Sequence, residues 1–217
     1  MKGSRRFNPL RRHVETKPPK TKIVIYSEGE KTERDYFNEM KRAFRSAVVD
    51  VDIVDGVGVP LTIAKKAIQA AQLAQHRDRG QSYARQDEFW AVFDRDEHPN
   101  VAEAISRCKN AKIGVAFSDP CFELWLVLHF QDFDAPVHRH DVQRCLEALC
   151  DDYDRAKCKT TDCAKLMQFV PDAELRAEKQ LLRRKEEGDP FSGPFTTVYE
   201  LTRRIRDLRP PILRSRG

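Results

Sequence analysis

Phe89-Trp90-Ala91-Val92-Phe93 is a continuous apolar run that stops abruptly at Asp94-Arg95-Asp96-Glu97-His98-Pro99. A strand with one wet face alternates apolar and polar residues, whereas a strand with no polar position is covered on both faces, as in a parallel sheet sandwiched by helices. The same pattern occurs upstream, where Ile23-Val24-Ile25-Tyr26 follows the Pro18-Pro19 break and gives way to the turn from Ser27 to Lys31. Downstream, Ile113-Gly114-Val115-Ala116-Phe117 reads as a further strand. Helix-forming stretches lie between these runs. Thr32 opens one in which Tyr36, Phe37, Met40 and Phe44 recur on one face, Leu61 to Gln75 is alanine-rich, and a short one surrounds Ala102 to Lys109. Val49, Val51 and Ile53 alternate with Asp50 and Asp52, which predicts an edge strand ahead of the Gly56-Val57-Gly58 turn. Strands alternating with helices predict an α/β fold, a parallel sheet flanked by helices.

Beyond the last of these strands, Ser118-Asp119-Pro120 predicts a helix cap with a first-turn proline, ahead of a helix containing Phe122, Leu124, Trp125, Leu126, Val127, Leu128 and Phe130 that is apolar nearly all round. From about Asp132 the strand signals cease, and helices are expected near 139–150, 172–187 and 195–208, the last stopped by Pro210-Pro211. The expected organisation is a basic flexible arm over 1–20, an α/β core over 21–131, and a C-terminal helical appendage over 132–217 packed on that core.

With 217 residues the chain has room for one principal domain and an appended part. Charged residues make up 34%, mean hydropathy is -0.65, and no apolar run approaches the roughly 18 residues of a membrane span, so no membrane partner is expected. The N-terminus is basic but has no apolar signal region, which predicts a cytoplasmic protein whose six cysteines are thiols. The net charge of +5 is concentrated at the two ends and near Arg176 to Arg184. That distribution permits a polyanionic partner, and it equally fits solvated helix faces. His138, His140, Cys145, Cys150, Cys158 and Cys163 contain no Cys-x-x-Cys pair, which argues against structural zinc. The edge strand and the helical tail offer surfaces for a homodimer.

In an open parallel sheet, ligands bind beyond the carboxyl ends of the strands. Two acidic positions fall there: Glu28 after the first strand, and Asp94 with Asp96 after the strand at 89–93. In extended backbone, residues two apart point the same way, so Asp94 and Asp96 can face one ion. Hard cations such as Mg²⁺ take oxygen ligands, which suits convergent carboxylates. An ordinary strand-end turn fits the Asp-x-Asp equally well. Gly29 would let a phosphate approach the backbone, Lys31 and Arg95 lie close by in sequence, and His98 beside the acidic loop can donate to phosphate. Glu33 is either a first-turn acid serving the helix dipole or, three and four residues before Tyr36 and Phe37, part of the buried stripe. Glu123 is the only residue of the charged types in Cys121-Phe122-Glu123-Leu124-Trp125-Leu126-Val127-Leu128. A carboxylate buried there needs a metal, a hydrogen-bond donor or an arginine to offset its desolvation. His129 is expected to be a satisfied core residue.

Three blocks taken together, IVIYSEGEKTERDYF at 23–37, VFDRDEH at 92–98 and FSDPCFELWLVLHF at 117–130, resemble the RloB-like family, whose members are similar to Toprim nucleases of the OLD type. The resemblance implies a Toprim-like fold binding Mg²⁺ or Mn²⁺. Glu28 matches the Toprim glutamate, and Asp94 and Asp96 match its Asp-x-Asp pair; Glu33 and Glu123 fall in neighbouring blocks as secondary ligands or supports. It also implies a metal-dependent nuclease acting on DNA or RNA, including tRNA, in prokaryotic anti-phage defence, with an AAA or ABC-like ATPase as partner. A non-catalytic Toprim-like scaffold that binds nucleic acid or the ATPase is the alternative. OLD-type enzymes add a lysine, for which Lys31, Lys157, Lys159 and Lys165 are candidates. Gly193-Pro194-Phe195-Thr196 resembles a helix start in relatives, and Tyr153-Asp154-Arg155 sits where relatives carry Tyr-x-Lys.

Overall fold

The computed structural model describes residues 21–29, 31–44, 49–54, 58–78, 87–95, 98, 100–135, 138–154, 161–189 and 192–207. The basic arm at 1–20, Asp96, Lys157 and Lys159 lie outside the described residues. The order of elements is β1 (Thr21–Ser27), α1 (Thr32–Ala43), β2 (Val49–Val54), α2 (Pro60–Asp78), β3 (Glu88–Asp94), α3 (Val101–Asn110), β4 (Gly114–Asp119), α4 (Glu123–Val127), α5 (Arg139–Leu149), α6 (Cys163–Leu166), α7 (Val170–Glu186), β5 (Phe195–Thr196) and α8 (Val198–Asp207), with a 3-10 turn at Met167–Phe169 before α7.

The sheet runs β2-β1-β3-β4-β5, with the first four strands parallel and β5 antiparallel to β4. Ile25 stands between Ile53 and Trp90 in register, and β2 is the edge strand its alternation predicts. The chain leaves β1 toward β2, then crosses back over β1 to reach β3. Right-handed crossovers in opposite directions put α1 on one face and α2 with α3 on the other. The gap between the ends of β1 and β3 is therefore the topological switch point, where an open α/β sheet leaves a crevice.

The α1 face carries an aromatic cluster. Tyr36, Phe37, Phe122, Trp125 and His129 form a chain of mostly edge-to-face ring contacts with centroids 5.0–6.1 Å apart, each worth about 0.5–1.5 kcal/mol beyond simple burial. His129 is a satisfied core residue: its Nδ1 donates to the Trp125 carbonyl at 2.9 Å, leaving Nε2 to accept from the Tyr36 hydroxyl at 3.1 Å. Burial pushes the imidazole down to about 4, so it is neutral. All five residues of α4 are buried, Glu123 together with the four apolar residues that follow it.

Two local expectations are corrected. Ser118 and Asp119 belong to β4 and cap no helix; α4 starts at Glu123 with Phe122 at its N-cap and no side-chain cap. The last helix begins at Val198, because Phe195 and Thr196 instead pair with Asp119 and Ser118 and add a strand to the far edge. Threonine hydroxyls secure that edge: Ser118 Oγ meets Thr196 Oγ1 at 3.0 Å, and Thr197 Oγ1 accepts the Phe117 N–H at 2.9 Å.

Several arginines of the C-terminal helices are held by carboxylates and backbone carbonyls of the chain itself. Arg176 donates to the carbonyls of Leu128 and His129 at 2.7 and 3.1 Å, satisfying backbone acceptors past the end of α4. Arg184 and Arg183 hold Asp134, Arg203 holds Glu178 through two 2.8 Å bonds, and Arg204 grips Glu88 at the start of β3. Arg206 pairs with the buried Glu174, which also accepts from Thr202 at 2.9 Å.

Candidate acidic site

Glu28 is the first residue past β1, and its N–H still donates to the Val92 carbonyl at 3.2 Å, so its side chain starts level with the end of β3. Its Oε1 lies 3.2 Å from His98 Nε2, and its Oε2 lies 3.5 Å from the Asp94 N–H. Asp94 is the last residue of β3. Its Oδ2 accepts the Phe122 N–H at 3.0 Å, while its Oδ1 is shut off from solvent with no hydrogen-bond partner among the described residues.

Glu33 sits in the first turn of α1 and is buried on the side that carries Tyr36 and Phe37. Its carboxyl occupies the space where a Cβ on residue 29 would stand, so Gly29 is required for close packing. The missing Cβ at Gly29 thus makes room for Glu33. Glu123, buried at the start of α4, accepts from Gln143 Nε2 and from the Tyr153 hydroxyl, both on Oε1 at 3.0 Å. The appended helices supply these donors, Gln143 from α5 and Tyr153 from the turn after it.

The four carboxyls act on one another. Burial pushes Glu33 up to about 7, with the charges of Glu123 and Glu28 adding to the rise and backbone N–H groups opposing it. Asp94 is held well above the ordinary carboxylate range by burial first and then by Glu33, Glu123 and Glu28, with the Phe122 N–H pulling the other way. Burial likewise raises the Cys121 thiol, reinforced by Glu123 and Asp94. Such a cluster is costly as bare charge, and it is relieved either by protons or by a cation.

Glu28, Glu33, Asp94, Glu123 and His98 are thus gathered at the switch point. Arg95 leaves it: its guanidinium donates to Asp119 Oδ2 at 2.5 Å, at the end of β4. Lys31 is exposed at the start of α1, and Lys165 pairs with Asp162 at 3.3 Å. Among the described residues no three His, Cys, Asp or Glu side chains converge at metal-holding distances. The four carboxyls nevertheless suit a hard cation: their donors are oxygen, they are acidic, and they include Asp94 Oδ1, which has no partner among the described residues. Among these described residues no helix is long and apolar enough to cross a membrane.

Three contributors escape the sequence reading. Gln143 is a polar residue in phase with Val142 and Leu146 on the buried face of α5, which is its one local signal. Tyr153 is recognisable only by its place in the family pattern. Asp119 is buried at a strand end, the position where functional polar residues gather, but reads locally as a helix cap. No match to the chain is found among curated proteins or among solved structures. A family model described as RloB-like protein matches residues 23–205, and the chain belongs to that family.

Proposed function

We propose that this protein is a metal-dependent nuclease of Toprim-like type that hydrolyses phosphodiester bonds in DNA or RNA, with Mg²⁺ or Mn²⁺ as cofactor. The observation that carries this reading is the Asp94 carboxyl: it has a buried oxygen without a partner among the described residues and is crowded by Glu28, Glu33 and Glu123 at the switch point of the sheet. Perturbed carboxyls clustered in such a crevice have the physical character of a functional site.

Glu28 and Asp94 would hold the cation, with Asp96 joining from the acidic loop. When bound, the cation would polarise a phosphoryl oxygen and lower the pKa of a water. The remaining work belongs to side chains. His98 orients Glu28 through their 3.2 Å contact, and Phe122 fixes Asp94 through its N–H. Glu33, with a carboxyl near 7, can take up or release a proton at neutral pH. Arg95, whose side chain is 54% exposed, lies at the rim, where it can meet a phosphate while still anchored to Asp119.

A second reading, a non-catalytic scaffold that binds nucleic acid or an ATPase partner, is favoured by the lack of three convergent ligands among the described residues. Both readings accommodate a role in anti-phage defence beside an AAA or ABC-like ATPase. The deciding test is cleavage of plasmid DNA, single-stranded DNA, total RNA and tRNA with Mg²⁺ or Mn²⁺, comparing wild type, Asp94→Ala and an EDTA control. Metal-dependent cutting lost in Asp94→Ala supports the nuclease; no cutting, even with the ATPase and nucleotide added, supports the scaffold.

A further inference from the structure

The C-terminal helices do more than cover the sheet. Glu123 lies 5% exposed in an apolar helix, and of the groups that touch it two come from outside the α/β core: Gln143 Nε2 and the Tyr153 hydroxyl, each 3.0 Å from Oε1. Both donors land on the same oxygen, so together they fix the rotation of the carboxyl as well as offsetting its burial. Glu123 in turn acts electrostatically on Asp94 and Glu33. Gln143 is itself 3% exposed and Tyr153 3% exposed, so the bonds are closed to competing water.

We propose that Gln143 and Tyr153 are positioning residues: they hold the Glu123 carboxyl in place beside the acidic centre, making the C-terminal helical part a component of the cation site. This inference rests on the metal-dependent reading above. Donors behind a liganding carboxylate commonly change metal affinity by about 10–100-fold when removed. Tyr153→Phe retains the ring and deletes only the hydroxyl.

The experiment is a Mn²⁺ titration by calorimetry, with free Mn²⁺ counted by electron paramagnetic resonance, on the full chain without nucleic acid. It compares wild type, Tyr153→Phe, Gln143→Leu, Glu123→Gln and the double variant Tyr153→Phe/Glu123→Gln, each checked for native circular dichroism. The expected result is a fall in affinity of roughly 10-fold in Tyr153→Phe and in Gln143→Leu, a fall in Glu123→Gln, and no further fall when Tyr153→Phe is added to Glu123→Gln. Wild-type affinity in both Tyr153→Phe and Gln143→Leu overturns the inference. So does an equal fall from Tyr153→Phe in the Glu123→Gln background, which would mark a general structural effect. A wild type that binds no Mn²⁺ removes the metal reading and this inference with it, an outcome distinct from the other two.

Discussion

Glu33→Gln tests the electrostatic account of the site with no assumption about catalysis. Unfolded, the Glu33 carboxyl titrates near 4.5; folded, burial moves it to about 7. Between those values the native chain keeps a proton that the unfolded chain has released, so native stability falls as pH rises. The favourable contribution is complete below 4.5 and has been lost once pH passes 7. The shift corresponds to roughly 3 kcal/mol at full development. In a chain of this size 1 kcal/mol moves the melting temperature by about 2–4 °C, so the effect amounts to about 6–12 °C.

Glutamine has the same shape, fits beside Gly29 and carries no charge. Removing the charge also relieves Asp94, which Glu33 pushes upward, so both effects favour the variant at high pH. With EDTA present, the melting temperature of Glu33→Gln minus that of wild type should therefore climb by about 6–12 °C between pH 4.5 and pH 8. Differential scanning calorimetry across that range measures it. A difference that stays flat, or that shrinks as pH rises, refutes the account. Adding Mn²⁺ at pH 8 should narrow the gap, because a cation relieves in the wild type the repulsion that glutamine removes.

Gly29→Ala should cost roughly 1–3 kcal/mol in urea unfolding by forcing a methyl onto the Glu33 carboxyl; the cost should vanish in a Glu33→Ala background, and if it persists there the clash is not its origin. Arg206→Met leaves the buried Glu174 with Thr202 and a more distant Arg203, and should cost about 3 kcal/mol. Arg204→Met breaks a partly exposed pair with Glu88 and should cost at most about 1 kcal/mol; denaturant midpoints that rank the two the other way would contradict the burial argument. His129 should show the Nδ1–H tautomer and no titration between pH 5 and pH 8 in nitrogen-detected NMR spectra, since burial holds it at about 4; a charge change within that window would mean the core site is open to water.

What was legible in the sequence is what local chemistry decides. Ile23 to Tyr26 and Phe89 to Phe93 announce themselves as central strands because their runs carry no polar position, and the alternation at 49–54 marks the strand that the sheet places at its edge. Since parallel strands present their ends on one side, Glu28 and Asp94 are legible as residents of one sheet edge, and the pairing of β1 with β3 makes them neighbours. Phe195 and Thr196 were misread as helix because their strand conformation depends on β4, 76 residues away at Asp119, and two residues are too few to show a period.

The acidic site was legible to the same depth. Partners were not: Asp119 meets Arg95, and Glu33 packs against Gly29, outcomes decided by which side chain arrives from elsewhere. Glu123 shows how an energetic argument reaches further than a pattern. A carboxylate in a run as apolar as Cys121 to Leu128 must be compensated, because an unpaired buried charge costs several kcal/mol or more. That requirement follows from composition alone, whereas the donors that meet it lie 20 and 30 residues downstream, in elements whose own local pattern serves helix packing. The need for Gln143 and Tyr153 is therefore written in the α/β core, and their identity in how the C-terminal helices dock upon it.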